Sequence, residues 1–154
     1  MKMEAIQPEI AKYIDIFVTN RDGNIVLLFE VKANKVPLNS SNSQINSCLR
    51  KIKNVRFVML ANLEEIHVFQ VKNNKLFDND ICLMTSDILS YYDDEFNQKR
   101  IFQFYLVTLL EAWLRDLAYH WKSEKPPAAK KLEKIGLLQE IEGGDTYAHN
   151  KYEL

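Results

Sequence analysis

The five residues Asn20-Arg21-Asp22-Gly23-Asn24 constrain the fold more than any other stretch, because they separate two β-rich runs. Tyr13–Thr19 is dense in β-branched and aromatic side chains, and Ile25–Lys32 opens on a continuous apolar run. Both read as strands. Asp-Gly between them is a strong hairpin signal, since glycine tolerates positive φ. The unbroken apolar start of the second strand predicts burial on both faces, hence a central position. A two-residue loop at Asp22-Gly23, or a four-residue loop Arg21–Asn24, gives partner numbers that add to 45. A three-residue loop breaks that register. With it, Asp15 lies opposite Glu30, and directly opposed residues share a face with Cβ atoms about 5 Å apart. Lys32, two residues beyond Glu30, points to the same face and Val31 to the other. Two facing carboxylates repel. A hard divalent cation with oxygen ligands would offset the repulsion, and so would Lys32 as an ion pair.

The rest of the chain reads as a mixture of helix and strand. Asn39–Ser43 is rich in N-capping residues, and Ile45, Leu49 and Ile52 then mark one apolar helical face. Arg56–Leu60 and Ile66–Val71 read as strands, with Asn73-Asn74 ending the pair. Asp78–Glu95 is polar and acidic, with a short helix expected near Asp87–Tyr92. Residues 96–122 read as a long helix with Ile101, Phe104, Tyr105, Leu109, Trp113 and Leu117 at helical spacing. Glu111, Arg115 and Asp116 interrupt that run, and charges in lipid are costly, so it is read as a core or dimer helix and not a membrane span. Its apolar surface is too large for a lone tail, which predicts a homodimer. Pro126-Pro127 breaks the chain, and a basic amphipathic segment, Lys130–Gln139, precedes Gly143-Gly144 and a polar tail.

With 154 residues, 47% of them hydrophobic, there is material for a core without staples. Met1–Glu9 has no apolar segment of the signal-peptide kind, and Cys48 and Cys82 form no CxxC pair. Reduced thiols in a cytoplasmic protein are expected. The net charge of −1 excludes a general polyanion binder, but its distribution is uneven. Residues 1–75 hold eleven Lys/Arg against seven Asp/Glu, and residues 76–154 nine against fourteen. Arg50, Lys51, Lys53 and Arg56 are candidate phosphate contacts or a solvated face. His67, His120 and His149 stand apart, without HxxE or HxxxH spacing, and are assigned no metal. Tyr91-Tyr92, Trp113 and Trp121 are read as packing residues ahead of base-stacking ones. A Gly-rich phosphate loop and a G-x-S-x-G elbow are both missing from the sequence.

Asp15, then Glu30-Val31-Lys32 on the next strand, then a helix with Gln44, resembles the PD-(D/E)xK nuclease superfamily. Pro8–Val18 and Leu28–Lys32 are similar to an uncharacterised restriction-endonuclease-like group common in cyanobacteria, over about residues 6–72. Ile14 stands where the superfamily's name has proline, and only fourteen residues precede Asp15, so the first elements are short, displaced or missing. The resemblance implies an α/β restriction-endonuclease-like core with a mixed central sheet flanked by helices. We place that core at residues 1–75 and a mostly helical C-terminal part at 76–154, packed on the core or forming a dimer. It implies Mg²⁺ (or Mn²⁺) on Asp15 and Glu30, Lys32 as the catalytic lysine, Gln44 near the site and Glu9 as an additional acid. The activity implied is phosphodiester hydrolysis in DNA. The alternative is a catalytically inactive binding or assembly module on the same fold, which the acidic second half favours.

Overall fold

The computed structural model describes residues 14–39 and 45–148, and only the backbone at 78–80. Glu9 and Gln44 lie outside the described residues. Among the described residues, six strands form one sheet: β1 (Ile16–Thr19), β2 (Ile25–Val31), β3 (Phe57–Ala61), β4 (Glu65–Lys72), β5 (Lys75–Met84) and β6 (Thr146–Ala148). Their order is β5-β4-β3-β2-β1-β6. The β2–β3 pair is parallel and the other pairs are antiparallel, so the sheet is mixed. The apolar run of β2 occupies an inner position, where both faces are covered.

One face of the sheet packs on the long helix α3 (Gln103–Tyr119) and on the shorter α2 (Thr85–Leu89), α4 (Ala129–Lys134) and α5 (Leu137–Ile141). Trp113, Leu110 and Leu114 of α3 are fully buried there against Phe29, Met59 and Val68. The opposite face carries α1 (Ile45–Leu49), whose Ile45, Cys48 and Leu49 cover Leu28, Val58 and Leu60.

Three elements depart from the sequence reading. Residues 75–84, of which those from Asp78 on fall in the stretch read as polar and acidic with no strand assigned, are the longest strand among the described residues. Asn73 and Asn74 both adopt positive φ (55° and 60°), which makes them a tight hairpin turn and not the end of the sheet. The polar residues of β5 are tolerated because it is an edge strand. The tail after Gly143-Gly144 returns as β6 and pairs with β1. Gly144 permits this: a Cβ there would lie 1.8 Å from the Thr19 carbonyl oxygen. Finally, the long helix begins at Gln103 because Phe102 is extended, and ends where His120 turns left-handed at φ 55°. Its apolar stripe is buried within the chain itself, while Phe102, Phe104, Tyr119 and Trp121 stay exposed. Among the described residues, no helix is long and apolar enough to cross a membrane.

Candidate functional site

The β1–β2 register follows the expected rule by an unexpected route. Ile16↔Phe29, Phe17↔Leu28 and Val18↔Leu27 all obey the sum of 45. The loop, however, has three residues, Arg21–Gly23, with Asn20 N–H donating to the Asn24 carbonyl at 2.8 Å. That shifts the pairing to Thr19↔Ile25, and an irregularity between Val18 and Thr19 restores it. Val26 is the extra residue, so Val26 and Leu27 both point into the α3-side core. The bulge takes up the odd loop length and holds the sum of 45 from Val18 to Ile16, where the pairing ends; Asp15 is a bend just outside β1.

At this end of β2 the ladder is completed by side chains. Asp15 N–H still donates to the Phe29 carbonyl at 3.0 Å. The Asp15 carboxylate then turns onto β2, its Oδ2 accepting from Val31 N–H at 2.7 Å. Asp15 is only 3% exposed, and a charge-assisted bond of this length is strong. One residue further, Gln103 at the start of α3 takes over. Its Nε2 donates to the Val31 carbonyl and its Oε1 accepts from Ala33 N–H, both at 2.8 Å. On the other edge Lys32 N–H donates to the Ala61 carbonyl at 3.0 Å. The segment Glu30–Lys32 is therefore clamped on both sides.

Strand alternation puts Glu30 on the face of Leu28, under α1. Glu30 is half-buried and Lys32 exposed. The electrostatics agree with that placement. The Cys48 thiol of α1 is pushed up to about 11, first by burial and then by the Glu30 carboxylate, with Lys51 opposing. At neutral pH that thiol is protonated and inert.

Lys32 also borders a cleft of about 430 Å³ with Ala33, Arg100 and Gln103. A second cleft, of about 500 Å³, shares Ala33 and Arg100 and adds Lys35 and Lys99. Lys99 is engaged by Asp93 at 2.7 Å, which raises its pKa. Lys32, Lys35 and Arg100 thus give this end of the molecule a basic rim. Arg50, Lys51, Lys53 and Arg56 are exposed after α1, and Arg56 lies 3.9 Å from Glu140. Trp113 is buried and donates from Nε1 to the Pro127 carbonyl at 2.9 Å, so it is a packing residue.

Sequence reasoning missed Gln103, Lys35 and Arg100. Nothing local marks Gln103, because its partners lie some seventy residues away. The basic rim has the same origin: it joins the end of β2 to the segment before α3.

Among known families, the model described as Type I restriction enzyme R protein N terminus (HSDR_N) matches residues 3–81, just over half of the 154-residue chain. No curated protein matches significantly, and no solved structure does. The matched residues contain Asp15, Glu30 and Lys32 and end within β5.

Proposed function

The chain belongs to the family of Type I restriction enzyme R protein N termini, and on that premise we propose that it is a divalent-metal-dependent endonuclease of the PD-(D/E)xK kind, acting on DNA. The observation that carries this reading is the clamped end of β2. It joins the Asp15 carboxylate to Val31 N–H, the residue after Glu30, with Lys32 at the mouth of a basic cleft.

The donor set suits Mg²⁺ or Mn²⁺. Two carboxylates are hard oxygen ligands, and the nearby thiol of Cys48 stays protonated, so no soft ligand competes. A carboxylate offers about four lone-pair sites, so the bond from Val31 N–H leaves Asp15 with capacity for a cation. When bound, such an ion supplies a lowered pKa for a coordinated water and charge neutralisation at the phosphate. The protein's own residues do the rest. Asp15 and Glu30 hold the ion, and the backbone clamp keeps both from drifting. Lys32 presents an ammonium where negative charge grows in the transition state. Lys35 and Arg100 hold the phosphodiester backbone along the rim without reading sequence, and Arg50, Lys51 and Lys53 offer further phosphate contacts.

The structural duty of Asp15 favours a second reading. A carboxylate that completes a strand ladder is useful with or without catalysis, so an inactive module would keep it. Asp15→Asn separates the two, because its amide oxygen can still accept from Val31 N–H while its charge is gone. The experiment pairs a Mn²⁺ titration, followed by electron paramagnetic resonance, with cleavage of plasmid DNA. Wild type removes the free-ion signal and nicks DNA; Asp15→Asn does neither, and Lys32→Ala binds Mn²⁺ but does not cut. Equal cleavage by wild type and Lys32→Ala sinks the nuclease reading.

A further inference from the structure

A second set of metal-type donors lies on the same sheet face, away from Asp15. Register pairs His67 of β4 directly with Cys82 of β5, and Glu65 lies two residues from His67 on the same side. Cys82 Sγ donates to Glu65 Oε2 at 3.2 Å, and His67 Nε2 lies 3.5 Å from Glu65 Oε1. One sulfur, one ring nitrogen and one carboxylate oxygen all fall within 4.8 Å of one another. We propose that Glu65, His67 and Cys82 bind a single borderline divalent transition-metal ion of the Zn²⁺ class.

The dimensions fit. Bonds of about 2.0–2.3 Å in a tetrahedral zinc site place ligand atoms about 3.3–3.8 Å apart, close to the two separations from Glu65, 3.2 and 3.5 Å, with the third within 4.8 Å. A sulfur, nitrogen and oxygen set suits zinc and is foreign to magnesium, which demands oxygen ligands and keeps its waters. The three residues stand on two paired strands, so little chain entropy is lost in assembling them. Three protein ligands leave the fourth position for water, and the site faces solvent: Cys82 is exposed and the side chains of His67 and Glu65 are 29% and 42% exposed.

A competing role, Cys82 as a nucleophile activated by His67, is disfavoured by where the thiol proton points. It is directed at Glu65 and not at the imidazole. Metal binding would displace that proton, as thiolate coordination requires. The sequence reading assigned no metal to His67, which lacks HxxE or HxxxH spacing, or to Cys82, which forms no CxxC pair; the two are fifteen residues apart. Only the pairing of β4 with β5 joins them.

The site also has a definite place relative to the candidate nuclease centre. Glu30↔Leu60, Leu60↔His67 and His67↔Cys82 are successive register partners. His67 therefore sits two strands from Glu30 on one face, about 10 Å away by sheet spacing. The proposal does not depend on nuclease activity.

The test is a Co²⁺ titration of the full chain read by absorbance, with Zn²⁺ displacement by calorimetry. Wild type and Asp15→Asn should each develop the thiolate-to-cobalt charge-transfer band, saturating at one ion per chain. Cys82→Ser should lose the band. His67→Gln and Glu65→Gln should weaken binding by about tenfold or more, at least the effect of disturbing an outer-shell partner. All three positions reach the surface, so the variants keep their fold, which circular dichroism verifies. Absence of the band in wild type, its survival in Cys82→Ser, or unchanged affinity in both His67→Gln and Glu65→Gln would overturn the proposal.

Discussion

The two faces of the sheet are built to different specifications. On one, α3 spans the strands and buries Leu106, Leu110, Trp113, Leu114 and Leu117 in a core that draws on residues from Ile16 to Ile141. On the other, among the described residues, a five-residue helix covers Leu28, Val58 and Leu60, and the chemistry-bearing side chains stand at its margin. Glu30, Glu65, His67 and Cys82 all belong to this second face, none of them fully buried. A charged group is costly beneath a thick apolar layer. The interior of the α3 face is therefore the wrong place for a reactive site, and the margin of the opposite face, where Glu30, Glu65, His67 and Cys82 reach solvent, is where one can be held.

That contrast can be broken by mutation. Trp113→Ala should cost about 3–5 kcal/mol, the range for truncating a buried aromatic side chain, measured as a shift in denaturant midpoint. Leu49→Ala on the opposite face should cost less, about 2–3 kcal/mol, because a short helix can settle into the space. Equal costs would mean that the second face is as much a core as the first. Gln103→Ala takes the partners from the Val31 carbonyl and Ala33 N–H. It should destabilise by about 1–2 kcal/mol and lower DNA cleavage with Mn²⁺ binding retained, since it acts by positioning Glu30 and Lys32. Unchanged cleavage would remove the clamp from the account. Lys32→Ala, exposed and outside the core, should leave stability within about 0.5 kcal/mol.

The smallest effect tests the stabilising face by pH. Hydrogen bonds from Lys99 and then Tyr105 hold the Asp93 carboxyl down at about 2, against an ordinary value of 3.8. A carboxylate lowered in the folded state contributes stability that is present above 3.8 and lost as pH falls toward 2. Asp93→Asn should flatten that part of the acid unfolding curve and leave the curve above about pH 5 parallel to wild type. An unaltered acid limb would remove this ion pair from the stability of the α3 side.

How much of this was legible beforehand follows from the range of each interaction. Strands β1 to β4, the long helix and the β1–β2 register were readable because they rest on period, turn chemistry and a short hairpin, Ile16–Phe29. Even there the agreement depended on the bulge at Val26, which no local pattern announced. Strand β5 was hidden because its polar residues resemble a loop until an edge position is granted. Strand β6 was hidden because three residues after two glycines carry no period.

The sequence by itself determined that β1 and β2 would form a hairpin and that β2 would carry Glu30-Val31 at its end, because pleat alternation and turn geometry act between near neighbours. Only the tertiary structure decided what holds that end and what else lies beside it. Gln103 reaches β2 from the far half of the chain, and His67 meets Cys82 across a hairpin whose register no composition reveals. Such contacts form when distant segments exclude water together, and their identity is set by the packing of the whole sheet.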